Sequence, residues 1–524
     1  MPVPNMDSIL SLRPAFLENV PITLQIIGAG AILALLYTIY IFIAADRPLP
    51  GFPIVALTER GLGPKWSWYK AGNATITKGL RENPGAFQII TGTGPKIVLP
   101  NRFADELKNR DELNFNKAFA KEFFPEYHGF EGFKQGLQDD TLIQETVRVK
   151  LTQSLNLITG DLVDETTAAV HDIFGEDEEW HSTTLNQNIL ELVTRLSSRV
   201  FLGKELCRER RWLDIAKNYT VDAFIAGRLL RAVPPVLRPI MYWFIPHCRR
   251  LRAQVRDSRK LIDPEIRRRI ERTQKALEAG EKPPKTADTI GWMYEVARGR
   301  QVDYVAGQLS LTMAAIHTTT GATTTAIIDL TENPEIVQPL REEAIAVISE
   351  NGWSKAALQK LKLMDSFLKE SQRLHPPGTV SMNRHVERTF TLSDGTTIPA
   401  GSRLMVAGSY NDPSVYSDPE TFDAFRFANK RQETGQANLW GHVATRAEHM
   451  GFGHGQHACP GRFFASNEIK VALVHLLLKY DWKAAVEGEK VKFMEFEANS
   501  VVDPKCRVQI RRRREEIDVD LPEA

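Results

Sequence analysis

A long apolar stretch lies near the N-terminus of the chain. From Val20 to Ala45 there is no charged residue, and the stretch consists largely of Ile, Leu, Ala, Val, Tyr and Phe. At about 1.5 Å per residue, a helix of this length spans a hydrocarbon core of about 30 Å. A cleaved signal peptide, the competing interpretation, has a basic leader and a shorter apolar region, whereas the leader here carries mixed charge. We therefore expect residues 20–45 to form a transmembrane anchor.

The residues on either side of this stretch predict its orientation. Four basic residues follow it within the next 25 positions, against one arginine before it. The positive-inside rule places the more basic flank in the cytoplasm. Three prolines and a glycine predict a stiff linker over residues 46–54. We expect residues 1–19 to form a lumenal tail and residues 55–524 to form one large cytoplasmic domain.

Beyond the linker, the apolar positions recur mainly with the period of a helix. Between Met364 and Leu374 they fall on one face, and Pro376 ends the segment; another helical segment runs from about Val302 to Asn333. Alternating segments around the Asp394-Gly395 turn predict strands, and the alternation over Lys505 to Arg511 predicts an edge strand. The predicted fold class is mainly α with a minor β-sheet, in a single large domain.

Charge and cysteine content narrow the class of protein. The chain has 66 Lys and Arg against 65 Asp and Glu, so no overall positive field draws it to nucleic acid. Four cysteines in 524 residues are too few for a disulfide framework. They are typical of a reducing compartment, in which a distinctive cysteine serves as a ligand or a nucleophile.

One of these cysteines ends a glycine-rich loop over residues 452–461. The sequence Phe-Gly-His-Gly-Gln-His-Ala-Cys-Pro-Gly places Cys459 directly before a predicted helix from Arg462 to Leu478. A helix N-terminus stabilises a thiolate. A buried structural cysteine is one alternative. Another is a zinc site, although its spacing departs from the usual paired ligands, and its members would be His449, His454, His457 and Cys459.

This loop resembles the haem-binding signature of the cytochrome P-450 monooxygenases, F-x-x-G-x-R/H-x-C-x-G. The fixed places of the signature are filled by Phe452, Gly455, His457, Cys459 and Gly461. Three further motifs of the family occur in the expected order, and the anchor and proline linker extend the resemblance along the whole chain. The resemblance therefore implies the cytochrome P-450 fold behind an N-terminal transmembrane helix.

The resemblance also implies a cofactor and its ligand. Haem b would be bound with Cys459 as the axial thiolate and the ligand of the iron, an arrangement that favours O–O cleavage. Phe452 would pack beside the sulfur. His457 stands where the family often has arginine, and it would reach a haem propionate, as would Arg384 and Arg148.

A second family motif supplies the distal side of the haem. Ala314-Ala315-Ile316-His317-Thr318-Thr319 resembles A/G-G-x-D/E-T-T/S, in which small residues leave room for dioxygen and substrate. Thr318 would carry the hydroxyl that relays protons; a threonine-rich buried helix with hydroxyls bonded to its own backbone is the alternative. His317 replaces the usual acid, and either a proton-relay role or simple packing fits it.

The remaining motif is structural. Glu370 and Arg373 lie one turn apart on the same helix face, where a surface ion pair would contribute little. In the family this pair is buried and joined by an arginine from a later loop, which is Arg426 here. We expect the three to form a rigid ion-pair network on the proximal side of the haem.

The resemblance implies a reaction, a location and partners. The expected reaction is hydroxylation, epoxidation or successive oxidation of a bulky lipophilic intermediate of fungal secondary metabolism, terpenoid or polyketide-derived. No NADPH or flavin motif is present, so electrons would come from NADPH–cytochrome reductase. We expect a single-pass monomer of the endoplasmic reticulum membrane with its catalytic domain in the cytoplasm, and no nucleic-acid partner.

Two questions stay open from the sequence. The apolar segment from Leu229 to Cys248 is either core or a substrate channel that dips into the membrane. A haem-thiolate isomerase or dehydratase that needs no electron supply, and a non-catalytic haem or zinc protein, are the alternatives to a monooxygenase.

Overall fold

Helices account for most of the structure. The computed structural model describes residues 21–44, 47–138, 140–282, 287–488 and 490–520, and only the backbone of residues 38–39 and 41–44. The predicted lumenal tail, residues 1–19, lies outside the described residues. The α-helices are α1 (Ile22–Ala44), α2 (Pro64–Glu82), α3 (Ala104–Leu107), α4 (Phe115–Phe123), α5 (Glu131–Gly136), α6 (Leu142–Glu145), α7 (Leu155–Phe174), α8 (Leu185–Leu202), α9 (Arg210–Ala232), α10 (Arg238–Phe244), α11 (Pro246–Glu278), α12 (Thr289–Ala297), α13 (Tyr304–Glu332), α14 (Val337–Asn351), α15 (Lys355–Lys360), α16 (Lys362–Leu374), α17 (Arg426–Lys430) and α18 (Arg462–Lys479).

The strands form small sheets beside the helices. A five-stranded sheet has the order β1-β2-β8-β5-β3, a three-stranded sheet has the order β4-β12-β9, and the pairs β6-β7 and β10-β11 stand alone. The strands are β1 (Phe87–Thr91), β2 (Gly94–Leu99), β3 (Leu113–Asn114), β4 (His181–Thr184), β5 (Val380–Val386), β6 (Phe390–Thr391), β7 (Thr397–Ile398), β8 (Arg403–Ala407), β9 (Tyr480–Ala484), β10 (Phe493–Phe496), β11 (Asn499–Val502) and β12 (Arg507–Arg512). The predicted class, mainly α with a minor β content, is confirmed.

Local sequence signals explain where the predicted helices begin and end. The Asp303 side chain accepts a hydrogen bond from the backbone N–H of Ala306 and caps α13, which ends just before Asn333 and Pro334. In α16, the apolar face predicted from the sequence is buried, including Met364, Phe367 and Leu368. Both predicted helices are therefore confirmed to within two residues.

The predicted edge strand at the C-terminus is only partly correct. Residues Arg507–Arg512 form β12, but β12 is the central strand of its sheet, flanked by β4 and β9. The alternation of buried Val508 and Ile510 with polar or charged residues indicates that one face of the strand is buried. It does not indicate which strands pair with its two edges. The edge assignment was wrong for that reason.

The helices that position the site share one hydrophobic core. Its buried side chains come from α7, α8, α13 and α18 among others, and the same cluster extends from Phe123 to Val519. Helix α13 packs against α5, α8, α9 and α18, so its middle lies deep inside the protein. A side chain with open surface in the middle of α13 therefore faces interior space.

The N-terminal helix contacts the segment that follows α9, and both expose apolar side chains. Helix α1 lies within the apolar stretch that was predicted as an anchor, and it contacts the 3-10 turn Pro235–Leu237. Among the residues that the structure describes, no helix is long and apolar enough to cross a membrane. In the segment from Leu229 to Cys248, Tyr242 is buried, but Trp243 is 59% exposed and Phe244 is 74% exposed.

Candidate functional site

Cys459 lies at the point where the glycine-rich loop enters a helix. Its backbone N–H donates a 2.8 Å hydrogen bond to the carbonyl of Phe452, and α18 begins three residues later. Burial raises the pKa of the Cys459 thiol, whereas hydrogen bonds from the backbone N–H groups of Gly461 and Arg462 and the charge of Arg462 act against this rise. Backbone N–H groups at the start of the helix thus face the sulfur, and the charge of Arg462 adds to their effect.

The glycine at position 455 is required by a close approach of two backbones. Gly455 has a φ of +74°, and a Cβ atom there would lie 2.4 Å from the carbonyl oxygen of Lys108. The loop is tied to the same region by His454, whose Nε2 is 2.9 Å from an Asp105 carboxylate oxygen. The backbone N–H of Gln456 also donates to Asn109 at 2.9 Å. The loop is therefore held in place by its contacts with residues 105–109.

The histidines of this region do not gather around the thiol as zinc ligands would. His449 bonds to the carbonyl of Lys369 at 3.1 Å, and His454 bonds to Asp105. His457 instead stacks on Phe115, with 5.6 Å between ring centroids. Among the described residues no group of three or more His, Cys, Asp and Glu could hold a metal ion. The zinc alternative is not supported.

One face of α13 borders open interior space. Ala314 and Thr318, one turn apart, are exposed although most of their neighbours in this helix are buried, and a Cβ atom at Gly321 would meet nothing within 4 Å. The Thr318 hydroxyl donates to the carbonyl of Ala314 at 2.8 Å. Of the two small residues in the predicted gap, Ala314 borders this space, whereas Ala315 is half-buried and packs against the core.

His317 points in a different direction from Thr318. Its Nε2 donates a 2.8 Å hydrogen bond to the carbonyl of Lys217 in α9, and burial lowers the pKa of its imidazole. The side chain thus ties α13 to α9. Of the two roles left open by the sequence, this contact favours packing.

A buried guanidinium and an imidazole lie together on one side of the loop. Arg384 is 4% exposed, and burial lowers its pKa to about 10 with no carboxylate among the described residues compensating it. Its guanidinium donates to the neighbouring carbonyl of Asn383, at 2.8 Å. Burial, together with the charge of Arg384, lowers the pKa of His457 to about 4. Phe115 packs against both, with its ring centroid 5.6 Å from the Arg384 guanidinium.

A pair of arginines lies on the other side of the loop. Arg148, in the π-helical segment Thr146–Leu151, is exposed; burial lowers the pKa of Arg462, and the charge of Arg148 lowers it further. Arg462 donates to the carbonyl of Cys459 at 2.8 Å, but its buried Nε atom has no hydrogen-bond partner in the described part of the chain. Sequence reasoning missed Arg462 and Phe115; the position of Arg462 directly after Gly461 was the available signal for the former.

These residues fit a haem. The site offers the Cys459 thiol, Arg384 and Arg462, which pair with no carboxylate among the described residues, and a face of α13 that borders open space. Buried charges and buried N–H groups without partners are costly, so the uncompensated charge of Arg384 and the unpartnered Nε of Arg462 indicate an anionic group that binds between these elements. Phe452 is half-buried, and its ring packs edge-on against His442 at 5.2 Å.

The predicted ion-pair network is confirmed. Arg373 donates to both carboxylate oxygens of Glu370, each at 2.8 Å, and Arg426 Nε lies 3.0 Å and 3.1 Å from the same two oxygens. All three side chains are buried. Arg373 also donates to the carbonyls of Tyr410 and Pro419, at 2.8 Å and 2.7 Å, so the network fixes the loop before α17.

A buried acid, which sequence reasoning missed, links α18 to α13. Burial raises the pKa of Glu468 to about 8, and hydrogen bonds from Ser197 and Thr319 act against this rise. The Ser197 hydroxyl donates at 2.7 Å. Thr319 is the neighbour of Thr318, so this acid connects the helix that follows Cys459 with the helix that borders the open space.

Comparisons with known proteins agree with this geometry. The family model described as Cytochrome P450 matches residues 145–510. Cytochrome P450 monooxygenase bsc2 of Alternaria brassicicola is 47% identical over 484 residues, which cover 91% of this chain and 92% of the relative. A cytochrome P450 monooxygenase of Gibberella fujikuroi is 43% identical over 83% of this chain and 99% of its own. The relative named hepE, from Aspergillus oryzae, is 42% identical over 86% of this chain and 83% of its own.

Proposed function

The chain belongs to the cytochrome P450 family of monooxygenases, and from this premise we propose that Cys459 binds the iron of haem b and that Thr318 relays protons. The family uses haem b with an axial cysteine thiolate. The observation that carries the proposal is the position of the Cys459 thiol at the N-terminus of α18, near the uncompensated charge of Arg384 and near Arg462, whose Nε has no partner among the described residues.

Each residue around the thiol has a defined task in this proposal. Arg384 and His457 on one side, and Arg148 and Arg462 on the other, would hold the two propionates of a haem. When bound, the haem would supply the activation of dioxygen, with one oxygen atom inserted into an unactivated C–H or C=C bond and the other released as water at the expense of two electrons from the reductase and two protons. The small residues of α13 leave room for the substrate.

Thr318 holds a proton at its Oγ1 atom at the edge of the open space. That proton now serves a hydrogen bond to Ala314, from which the hydroxyl turns away by rotation about one bond. His317 contributes by holding α13 against α9, since its Nε2 is occupied by the Lys217 carbonyl. We assign the proton step to Thr318 alone.

We also propose the partners and location expected from the sequence. Residues 20–45 anchor the protein in the endoplasmic reticulum membrane, and NADPH–cytochrome reductase supplies the electrons. The exposed Trp243 and Phe244 lie in α10, directly after the turn that α1 contacts, so the same bilayer covers both. This favours the membrane-dipping interpretation of the segment from Leu229 to Cys248 over a core role.

The substrate that we propose is a bulky lipophilic intermediate of fungal secondary metabolism, terpenoid or polyketide-derived. The relatives come from fungi and are named as monooxygenases, which favours this reaction over the isomerase and the non-catalytic alternatives. Half-buried Phe115 and Phe119 offer apolar surface near Arg384 and His457.

The absorption of the reduced protein with carbon monoxide tests the thiolate ligand. We expect a red-shifted Soret band that is lost in Cys459→Ser and kept in Cys506→Ser, a matched change at another free cysteine. Retention of the band in Cys459→Ser would refute the assignment. NADPH-dependent product formation with the reductase then separates a monooxygenase from an isomerase, which turns over without NADPH.

A further inference from the structure

Five charged side chains from distant parts of the chain meet away from Cys459. They come from β2, the end of α4, the end of α9, β8 and the turn between β10 and β11. We call them the charge cluster: Lys96, Glu122, Arg231, Arg403 and Glu497.

The contacts within the charge cluster leave one guanidinium poorly satisfied. Arg231 lies 3.8 Å from a Glu497 carboxylate oxygen and donates to the carbonyl of Glu122 at 3.4 Å. It is 8% exposed, and its buried Nε atom has no partner among the residues that the structure describes. Lys96 pairs with Glu122 and also donates to Asn383 at 3.1 Å.

The charge cluster has one net positive charge in a buried place. Three cations, each less than a tenth exposed, face two carboxylates. Burial lowers the pKa of Lys96 and of Arg403, and the charge of Arg231 lowers that of Arg403 further. An uncompensated buried cation is costly, so an additional anion at this place is stabilising.

The backbone of Glu497, whose carboxylate belongs to the charge cluster, is strained. Its φ is +53°, a left-handed conformation that residues other than glycine and asparagine rarely adopt. A Cβ atom at Gly72 would lie 2.2 Å from the carbonyl of Glu497, so the turn is pressed against α2. Burial raises the pKa of the Glu497 carboxyl. The Glu497 carboxylate is therefore held only weakly in the charge cluster.

An aromatic stripe connects the charge cluster with the Cys459 site. Phe115, Phe119 and Phe123 lie one turn apart on α4, with ring centroids separated by 4.4 Å and 6.1 Å along the stripe. Phe115 contacts Arg384 and His457 at the site. Phe123 follows Glu122 of the charge cluster. At about 1.5 Å per residue, the stripe is about 12 Å long.

We propose that the charge cluster binds the carboxylate of a lipophilic acid whose apolar body lies along the aromatic stripe. The acid group is held mainly by Arg231, in competition with Glu497. Carbon atoms about 12 Å from the carboxylate are then presented to the Cys459 site. This inference rests on the proposed function, because it names the class of substrate for that same site.

Binding of dodecanoic acid and of its methyl ester to the haem-loaded full chain tests the inference. Both compounds are titrated at neutral pH, where the acid is ionised, and binding is followed by the shift of the Soret band. We expect the acid to bind about tenfold more tightly than the ester, the effect of one charge-assisted hydrogen bond. Equal responses of the two compounds, including no response from either, would overturn the inference.

Two substitutions of opposite expected sign sharpen the test. Arg231→Gln should weaken binding of the acid about tenfold and leave the ester unchanged, whereas Glu497→Gln should tighten binding of the acid by removing its competitor. Arg211→Gln is the matched control, because Arg211 is an exposed arginine at the opposite end of the same helix. If both cluster variants weakened acid and ester alike, the cluster would be a structural latch and the inference would be wrong. A normal carbon-monoxide band accompanying that result would leave the proposed function standing.

Discussion

At the scale of single residues, the hydrogen-bond partners of a buried arginine indicate whether it stabilises the fold or binds a further group. Arg373 and Arg384 are both buried arginines eleven positions apart, yet Arg373 bonds to a carboxylate and to backbone carbonyls on several sides. In the part of the chain that the structure describes, Arg384 donates only to the neighbouring carbonyl of Asn383. The first arginine stabilises the fold as it stands, whereas the second needs an anion that the polypeptide does not supply.

Replacing Arg384 by methionine should therefore have opposite effects on the two forms of the protein. In the haem-free chain, we expect the free energy of unfolding to rise by about 1–4 kcal/mol, the range found when buried charges give way to apolar groups of similar volume. In the loaded protein, we expect haem to be lost more readily, because a propionate loses its partner. Urea unfolding of the haem-free protein and the ratio of Soret to protein absorbance measure the two effects.

Arg388→Met is the control for this experiment, since Arg388 is exposed four residues further along the chain. It should alter neither quantity appreciably. A loss of stability in both forms of the Arg384 variant would contradict the conclusion that its charge is uncompensated.

At the scale of secondary-structure elements, Glu468 joins α18 to α13 and α8 through a carboxyl that is protonated at neutral pH. Burial raises its pKa to about 8 from the ordinary value of 4.5. The folded protein therefore binds one more proton than the unfolded chain between these two pH values. The stabilisation that this proton provides is complete below the window and is lost as the pH rises through it.

Glu468→Gln should remove this dependence on pH, because glutamine keeps the shape and polarity of the protonated acid without titrating. The difference in unfolding free energy, variant minus parent, should increase by about 1.4 kcal/mol for each pH unit within the window. Urea unfolding at several pH values from mildly acidic to mildly basic measures that difference. A difference that stays constant across the series would show that Glu468 does not change its protonation on unfolding.

At the scale of elements, the sequence could predict features that depend on residues close together along the chain. It could not predict features that depend on residues far apart along the chain. The ends of α13 were predictable because its capping residue Asp303 and the terminating Asn333-Pro334 are local signals. The loop around Cys459 was predictable for the same reason. The central position of β12 was not, because β4 and β9 are separate from it along the chain and leave no mark on its own alternation.

The same limit applies to the residues that were missed. Glu468 meets its partner Ser197 across 271 positions, and Lys96 meets Asn383 across 287. Each of these residues, considered alone, looks like an ordinary charged residue in an amphipathic helix or strand. Only the packing of helices and sheet shows that they are buried and which groups they face.

At the scale of the whole molecule, the N-terminal helix lies beside a second element with exposed apolar side chains. Helix α1 contacts the turn Pro235–Leu237, and the exposed Trp243 and Phe244 follow within the next seven residues. The hydrophobic core clusters of the described residues include none of the side chains of α1. The globular part should therefore fold without α1 and should still bind a membrane through α10.

Vesicle binding of a chain that begins at Arg47 tests this second membrane contact. We expect the truncated protein to sediment with phospholipid vesicles, and we expect Trp243→Ser combined with Phe244→Ser to weaken that binding by about a hundredfold or more. The reason is that each large apolar side chain contributes about 1.5–3 kcal/mol when it leaves water. Leu157→Ser combined with Leu277→Ser is the matched control, because these leucines are equally exposed but lie on α7 and at the far end of α11. If the control pair weakened binding as much as the α10 pair, the contact would be general hydrophobic adhesion, and the channel assigned to the segment from Leu229 to Cys248 would lose its support.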